Sequence, residues 1–332
     1  MKFATRPTAR LIQTCALLCC AMLAHSPAAQ AQGVALVSSE KDNAITVVDL
    51  RSLSVQGTIA TCKRPRHMQL TPDRQQLLVV CSNDHTADVI DVASRKSLRR
   101  IPLGEDPEMF DLSPDGKTLY VSNEDDAVLS VIDVASGKRS AEIKVGKEPE
   151  GVRTSADGKM VYVTSEVASM VHVVDVASGK IVKNIPVGKR PRRLALTPDG
   201  NELWVTNELG ASLSIISTRE MRVIATLNFV LKGARASDIT PVGLVMARDG
   251  KRAFVGLGRS SHVAFVDVAK REVTQLVLAG KRAWNVALTK DESLLLVVNG
   301  LSDDITVVDV ANAKATKTIP VGRVPHSVVI LD

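Results

Sequence analysis

The stretch Thr118-Leu119-Tyr120-Val121-Ser122-Asn123, followed past a polar loop by Val131-Ile132-Asp133-Val134 and Ala135-Ser136-Gly137-Lys138, carries the plan of the whole chain. Short apolar runs rich in β-branched residues, each bounded by turn residues, are the mark of antiparallel strands. The module returns as Val161-Tyr162-Val163-Thr164-Ser165, Val173-Val174-Asp175-Val176 and Ala177-Ser178-Gly179-Lys180. Its aspartate recurs at Asp49, Asp91, Asp133 and Asp175 with a constant spacing of 42. Ser217 takes the next place, Asp267 follows after 50 residues, and Asp309 after 42 again.

A second marker keeps the same beat. Pro72-Asp73, Pro114-Asp115-Gly116, Asp157-Gly158, Pro198-Asp199-Gly200, Asp249-Gly250 and Asp291 are tight-turn signals. Each unit therefore holds four short strands, here a to d, and a β-only period in the low forties predicts a seven-bladed β-propeller. The ends predict how the ring closes. Strand a of the last unit, about Ser327 to Leu331, ends the chain, and the missing strand b appears as Val34-Ala35-Leu36-Val37-Ser38-Ser39. One blade is thus expected to take strands b, c and d from the N-terminus and strand a from the C-terminus. The 50-residue unit places its eight extra residues between strand d and Pro241, about Phe229 to Thr240, on the face of the channel mouth.

Residues 1–31 read as a secretory signal peptide, and 32–332 as the propeller. Lys2, Arg6 and Arg10 precede an apolar run from Leu11 to Leu23, and Ala29-Gln30-Ala31 fits a cleavage site before Gln32. No arginine pair precedes the run, which favours the Sec route. Cys15, Cys19 and Cys20 lack the setting of a lipoprotein cysteine. No later segment is apolar enough to span a membrane, so a periplasmic protein, expected to be a monomer, follows. The leader holds three of the 42 basic residues and none of the 36 acidic ones, so the formal charge falls from +6 to +3 without it. That balance gives no footing for nucleic-acid binding. Cys62 and Cys81 remain, a disulfide or two free thiols in an oxidising compartment. No Cys-x-x-Cys-His is present for covalent haem.

Leu119-Tyr120-Val121-Ser122-Asn123, Val161-Tyr162-Val163-Thr164-Ser165 and Leu203-Trp204-Val205-Thr206-Asn207 resemble the strand motif of the YVTN-type propellers, over essentially the whole mature chain. Gly104-Glu105-Asp106-Pro107-Glu108-Met109-Phe110, Val145-Gly146-Lys147-Glu148-Pro149-Glu150-Gly151, Gly280-Lys281-Arg282-Ala283-Trp284 and Thr240-Pro241-Val242-Gly243 are similar, more narrowly, to the β-propeller proteins associated with PQQ-dependent alcohol catabolism. The resemblance implies a periplasmic compartment, with a PQQ-dependent dehydrogenase or ABC-transporter components as partners. It supplies no reaction, so the site must be argued from its own residues.

Aligning the repeats gives columns that ring the axis. The first residue after the proline that opens strand a is, in order, Arg66, Glu108, Glu150, Arg192, Val242, Trp284 and His326. The next column is His67, Met109, Gly151, Arg193, Gly243, Asn285 and Ser327. Diverse residues on a regular frame suit a binding site. Arg66, His67, Glu108, Glu150, Arg192, Trp284, Asn285 and His326 are the candidate ligand-binding residues: the arginines for a carboxylate, Trp284 to stack on a flat ring. A small anionic ligand is expected. Plugging of the channel by these same side chains is the plainer reading.

The loops between strands b and c add Glu40, Glu124, Glu166 and Glu208, which are read as solvated pairs of nearby Lys147, Arg190 or Arg193 rather than a metal centre. Asp111 and Arg153 are expected to pair deeper in the channel. No Gly-x-Ser-x-Gly elbow or phosphate-binding loop is present. A non-enzymatic binding or accessory protein without a resident cofactor is the first reading, with PQQ and a divalent cation as ligands to test. The alternatives are a lactonase-like hydrolase using Glu108, Glu150 and Asn285 with a divalent metal, or a haem d1-like tetrapyrrole-binding propeller with His67 or His326 as axial ligand.

Overall fold

The computed structural model describes residues 1–4 and 33–332. The expected leader lies, apart from its first four residues, outside the described residues, and so do its cleavage site and its cysteines. By contacts the chain divides into Met1–Gln30 and Ala31–Asp332, and the second unit holds every strand among the described residues.

This unit folds into seven four-stranded antiparallel sheets. Six are continuous in sequence, at residues 65–102, 107–144, 149–186, 191–228, 241–278 and 283–320; we call them blades 1 to 6. The seventh joins Pro325–Leu331 to Val34–Ser39, Ala44–Asp49 and Ser54–Ala60. Val34 stands opposite Leu331 and Val37 opposite Val328, so the closing blade is shared between the two ends of the chain. Its C-terminal strand begins at Pro325, two residues before the expected Ser327.

The apolar runs of the inner strands come from burial on both sheet faces. In Gln76–Cys81, Leu77 and Val79 pack against Leu36, Ile45 and Met68, while Leu78 and Val80 pack against Phe110, Leu119 and Val121 of the next blade. A strand covered on both faces reads as a continuous run rather than an alternation. The outermost strand, such as Lys96–Pro102, buries only Ile101 and is otherwise polar or exposed. Hydroxyls then tie neighbouring blades together. Ser38, Ser122, Thr164 and Thr206 donate to the carbonyls of Arg66, Glu150, Arg192 and Val242 in the next blade.

The two repeat markers have one physical origin. Asp49, Asp91, Asp133 and Asp175 each accept hydrogen bonds from the backbone N–H and hydroxyl of the serine three residues on. Asp267 and Asp309 hold Lys270 and Asn312 N–H in the same way. Ser217 substitutes a hydroxyl that accepts from Glu220 N–H, so the missing aspartate changes the atom and not the turn. In the other turn, Asp73, Asp115, Asp157, Asp199, Asp249 and Asp291 accept from the N–H two residues on. Such side-chain bonds fix a tight turn. The strand registers put both turn sets on one face: Leu70 pairs with Leu77, and Asp91 with Lys96 and Gln76. The opposite face carries the strand b–c and d–a connections, without these repeated turns.

Cys62 and Cys81 are joined, with Cα atoms 5.6 Å apart, beside the seam of the closing blade and blade 1. Among the described residues no helix is long and apolar enough to cross a membrane.

Candidate functional site at the channel mouth

The opening residues of the a strands converge at the mouth, and the structure buries all seven of them. This brings together Arg66, Glu108, Glu150, Arg192, Trp284 and His326, six of the eight sequence candidates. Second-column residues lie one step deeper. His67 packs edge-on against Phe110 at 5.0 Å, and Asn285 spends its amide on Ser327 and on Val286 N–H. Gly151 and Gly243 owe their identity to packing. A Cβ on Gly151 would collide with the Arg192 carbonyl, and one on Gly243 would lie 2.6 Å from Asn285 Cα.

Most of the charge at the mouth is already committed. Arg66 pairs with Glu108 and, at 3.5 Å, with Glu40, which also holds Arg64 at 3.3 Å. Arg192 pairs with Glu166, with Glu150 at 3.3 Å and with Glu208 at 3.7 Å. Arg190 bridges Glu166 at 2.7 Å and Glu208 at 3.1 Å, and Arg193 holds Glu150 at 2.9 Å. Of the four loop glutamates, Glu40, Glu166 and Glu208 are thus partners of arginine, whereas Glu124 lies beside Asp106 and Glu108, and Lys147 takes no part in these pairs. Asp111 and Arg153 meet at 3.8 Å below. Arg66 and Arg192, expected to reach a ligand carboxylate, instead form the frame of the mouth.

Titration splits the acids. Burial and the neighbouring Glu150 push the Glu108 carboxyl up to about 9. Burial also acts to raise Glu150, but Arg192, Arg193 and Arg66 outweigh it and bring that group down to about 2. Burial lifts Glu166 to about 7 against the pull of Arg192. The two imidazoles are driven the other way: burial and Arg193 lower His67 to about 3, and burial with Arg66 holds His326 well below its ordinary value. Both histidines are therefore neutral at physiological pH. Neither ring nitrogen of His326 has a hydrogen-bond partner, nor has the Trp284 indole N–H.

Two cavities open here. A well of about 350 Å³ is lined by six arginines, Arg64, Arg66, Arg190, Arg192, Arg259 and Arg282, by four glutamates, Glu108, Glu124, Glu150 and Glu208, and by Leu209 and Trp284. A second, of about 130 Å³, lies against Arg66, Arg282, Trp284 and His326. Arg282 borders both. Its guanidinium lies 4.0 Å from the centre of the Trp284 ring, a cation–π contact. Among the described residues no carboxylate stands within ion-pair distance of it. Trp284 is thus covered by Arg282, with Arg192 at 5.1 Å, rather than bare for a stacking ligand. Sequence reading missed Arg282 because it sits two positions ahead of the columns considered. In that column Arg64, Asp106, Glu148, Arg190, Arg282 and Val324 adopt left-handed backbone with φ from 35° to 61°, as do loop residues on the opposite face such as Leu53 and Arg95.

The acid side of the mouth offers one cluster. Asp106, Glu108 and Glu124 bring carboxylate oxygens within 4.8 Å of one another, the arrangement among the described residues able to hold a metal ion. Glu150 and Asn285, expected to share such a point with Glu108, are not in it.

The comparisons with known proteins agree with the architecture. The Cytochrome D1 heme domain family matches residues 71–194. None of the curated proteins compared matches the chain. Among solved structures, Kuenenia stuttgartiensis hydrazine synthase is similar at 25% identity over 83% of this chain and 92% of that one, with a TM-score of 0.75. The periplasmic gluconolactonase PpgL of Pseudomonas aeruginosa aligns at 20% identity over 90% of this chain and 99% of that one, TM-score 0.77. The dihydro-heme d1 dehydrogenase NirN, in complex with DHE, aligns at 15% identity over 90% and 75%, TM-score 0.67. The last two likenesses speak to fold alone.

Proposed function

We propose that this is a non-enzymatic periplasmic binding protein that holds a small carboxylate-bearing ligand at the channel mouth, in the service of a PQQ-dependent alcohol oxidation or its associated transport. The signal-peptide pattern supports the compartment, and the sequence resemblance supports the pathway. The observation that carries the binding reading is Arg282: a guanidinium without an acid partner, seated on Trp284 and bordering both cavities. Each frame arginine beside it already holds a glutamate, so Arg282, with Arg259 on the same well, is a donor left for an incoming anion. A well of about 350 Å³ falls at the small end of the ~300–1,000 Å³ typical of small-molecule sites. That volume suits a compact polycarboxylate such as PQQ better than a macrocycle.

Two other readings rest on particular observations. The partial family match and the unpartnered imidazole of His326 favour a tetrapyrrole. The Asp106, Glu108 and Glu124 cluster favours a divalent cation and, with it, lactonase-like hydrolysis. A thermal-shift titration of the mature protein with PQQ, Ca²⁺, Zn²⁺ and haem separates the three, because a ligand of the folded state raises the melting temperature with concentration. A saturable PQQ shift that Arg282→Ala removes is the expected result. A shift with metal alone, lost in Glu124→Gln, transfers the reading to the carboxylate cluster; a haem shift lost in His326→Ala transfers it to the tetrapyrrole.

A further inference from the structure

The two faces of the ring differ in a way that a small ligand does not explain. Large aliphatic side chains exposed in loops all belong to the mouth face: Val167 at 60% exposure, Leu209 at 52%, Val230 at 80% and Leu301 at 63%. The remaining exposed aliphatics of the propeller lie on outermost strands, at Val55, Leu98, Val182, Leu276 and Leu278. The loops of the opposite face, with their aspartate-held turns, show none among the described residues. An aliphatic tip at a loop end has no structural task in this fold, since equivalent loops carry Lys41, Asn83 and Asp125 at the same position.

Three of the tips fall in one sector, and that sector is basic. Leu209 and Arg259 border the same well. The turn Glu208–Gly210, which carries Leu209, touches the turn Ala236–Asp238 of the inserted connection, which also bears Val230, Lys232 and Arg235. Lys281 and then Leu301 come on the next loops. No carboxylate pairs with Arg259 or Lys281 among the described residues, and Asp238 is taken by Arg235 through two hydrogen bonds at 2.8 and 3.2 Å. Across the mouth, the connections of blades 1 and 2 carry Asp84, Glu105, Asp106, Glu124, Asp125 and Asp126. The rim is therefore polarised, with its aliphatic tips on the basic side apart from Val167.

We propose that this sector, the inserted connection with the rims of blades 4 to 6, docks a partner protein through an acidic segment that carries leucine or valine among its carboxylates. Charge complementarity selects the segment: unpaired Arg259 and Lys281 attract carboxylates, while the acidic half of the rim repels them and sets the register. Leu209, Val230 and Leu301 supply the apolar contact that a small anion would leave in water. The inserted connection packs Phe229, Leu231 and Ile239 inward and presents Val230, Lys232 and Arg235 on this rim.

The test uses the whole mature protein and a fluorescein-labelled peptide alternating Asp and Glu with Leu, read by anisotropy. Two control peptides replace leucine by serine or the acids by lysine. Saturable binding of the first peptide alone is expected, weakening with salt. The double change Leu209→Ser with Leu301→Ser, and separately Lys281→Glu, should each reduce affinity about tenfold or more, while Arg95→Glu on the opposite face should leave it unchanged. Absence of saturable binding, equal affinity in the rim variants, or binding of the serine peptide as well as the leucine one each overturns the proposal. So does tight binding to phosphatidylglycerol vesicles without peptide binding, which would make the face a membrane contact, or concentration-dependent dimerisation abolished by the same variants, which would make it a self-interface.

Discussion

Glu108 and Glu150 hold the same position in adjacent blades, yet the ring treats them as different acids. Glu150 sits among Arg192, Arg193 and Arg66 and is kept ionised, whereas Glu108 is buried beside that negative charge and held protonated, with a value of about 9. The consequence for stability has a definite sign. From its ordinary 4.5 up to about 9, the unfolded chain has released a proton that the folded chain still binds, so stability from this site falls as pH rises through that window. Glu108→Gln keeps a neutral side chain of the same shape and should flatten the fall. Melting curves at pH 5 and pH 9 check this: the variant should gain on the wild type at the higher pH, and parallel pH dependence in the two proteins would contradict it. None of this is visible in the repeat, where the two residues are indistinguishable. What separates them is which arginines the ring places beside each: Arg192 and Arg193 at Glu150, Arg66 at Glu108.

Among the strands, Pro325–Leu331 does more than finish the chain. It covers the inner edge of Val34–Ser39, whose backbone would otherwise stand open. An uncovered strand edge is a template for association. Removal of residues 325–332 should therefore yield a protein with a broad, weakly cooperative melt and a tendency to aggregate; a sharp melt and a monomeric elution profile would show that the ring does not need this closure. The inserted connection behaves in the opposite way. It is pinned at its two ends by buried Phe229 and Ile239 against Trp204, Leu213 and Leu257, with Leu231 and Ala234 half-buried against the same cluster and the residues between them exposed. Strand positions, the closing blade and the insertion were all legible in the sequence because the alternation of turn signals and apolar runs is local. The start of the last strand was misplaced by two residues, since its opening proline belongs to the ladder through a contact with Ser39 that only the closed ring provides.

Across the full ring, the two ends of the chain meet inside the closing blade, and the Cys62–Cys81 bond lies beside the seam between that blade and blade 1. Its loop spans a sequence separation of 19, for which chain-entropy reasoning gives a stabilisation of about 3 kcal/mol. Paired replacement of both cysteines by alanine should lower the free energy of unfolding by about that amount in guanidinium titrations, with no change when the wild type is already reduced. Equal stability of the oxidised wild type and the double variant would show that the hydroxyl bonds between blades hold the seam unaided. The polarity of the ring is the other property that belongs to no single blade. Aspartate-held turns lie on one face, and arginines, buried acids and aliphatic tips gather on the other.

The architecture could be read from the chain because a propeller blade is written in short-range signals: a turn aspartate, an apolar run, another turn, repeated on a fixed beat. The residues that ring the axis could be read in the same way, since equivalent positions in a repeat must become equivalent positions in space. The roles of those residues were set by the closed ring. It consumed Arg66 and Arg192 in ion pairs, covered Trp284 with Arg282, turned Asn285 onto Ser327 and left Arg282 without an acid partner. Ion pairing, burial and protonation depend on neighbours from other blades, and no local pattern in the chain records which side chain will find which partner across the mouth.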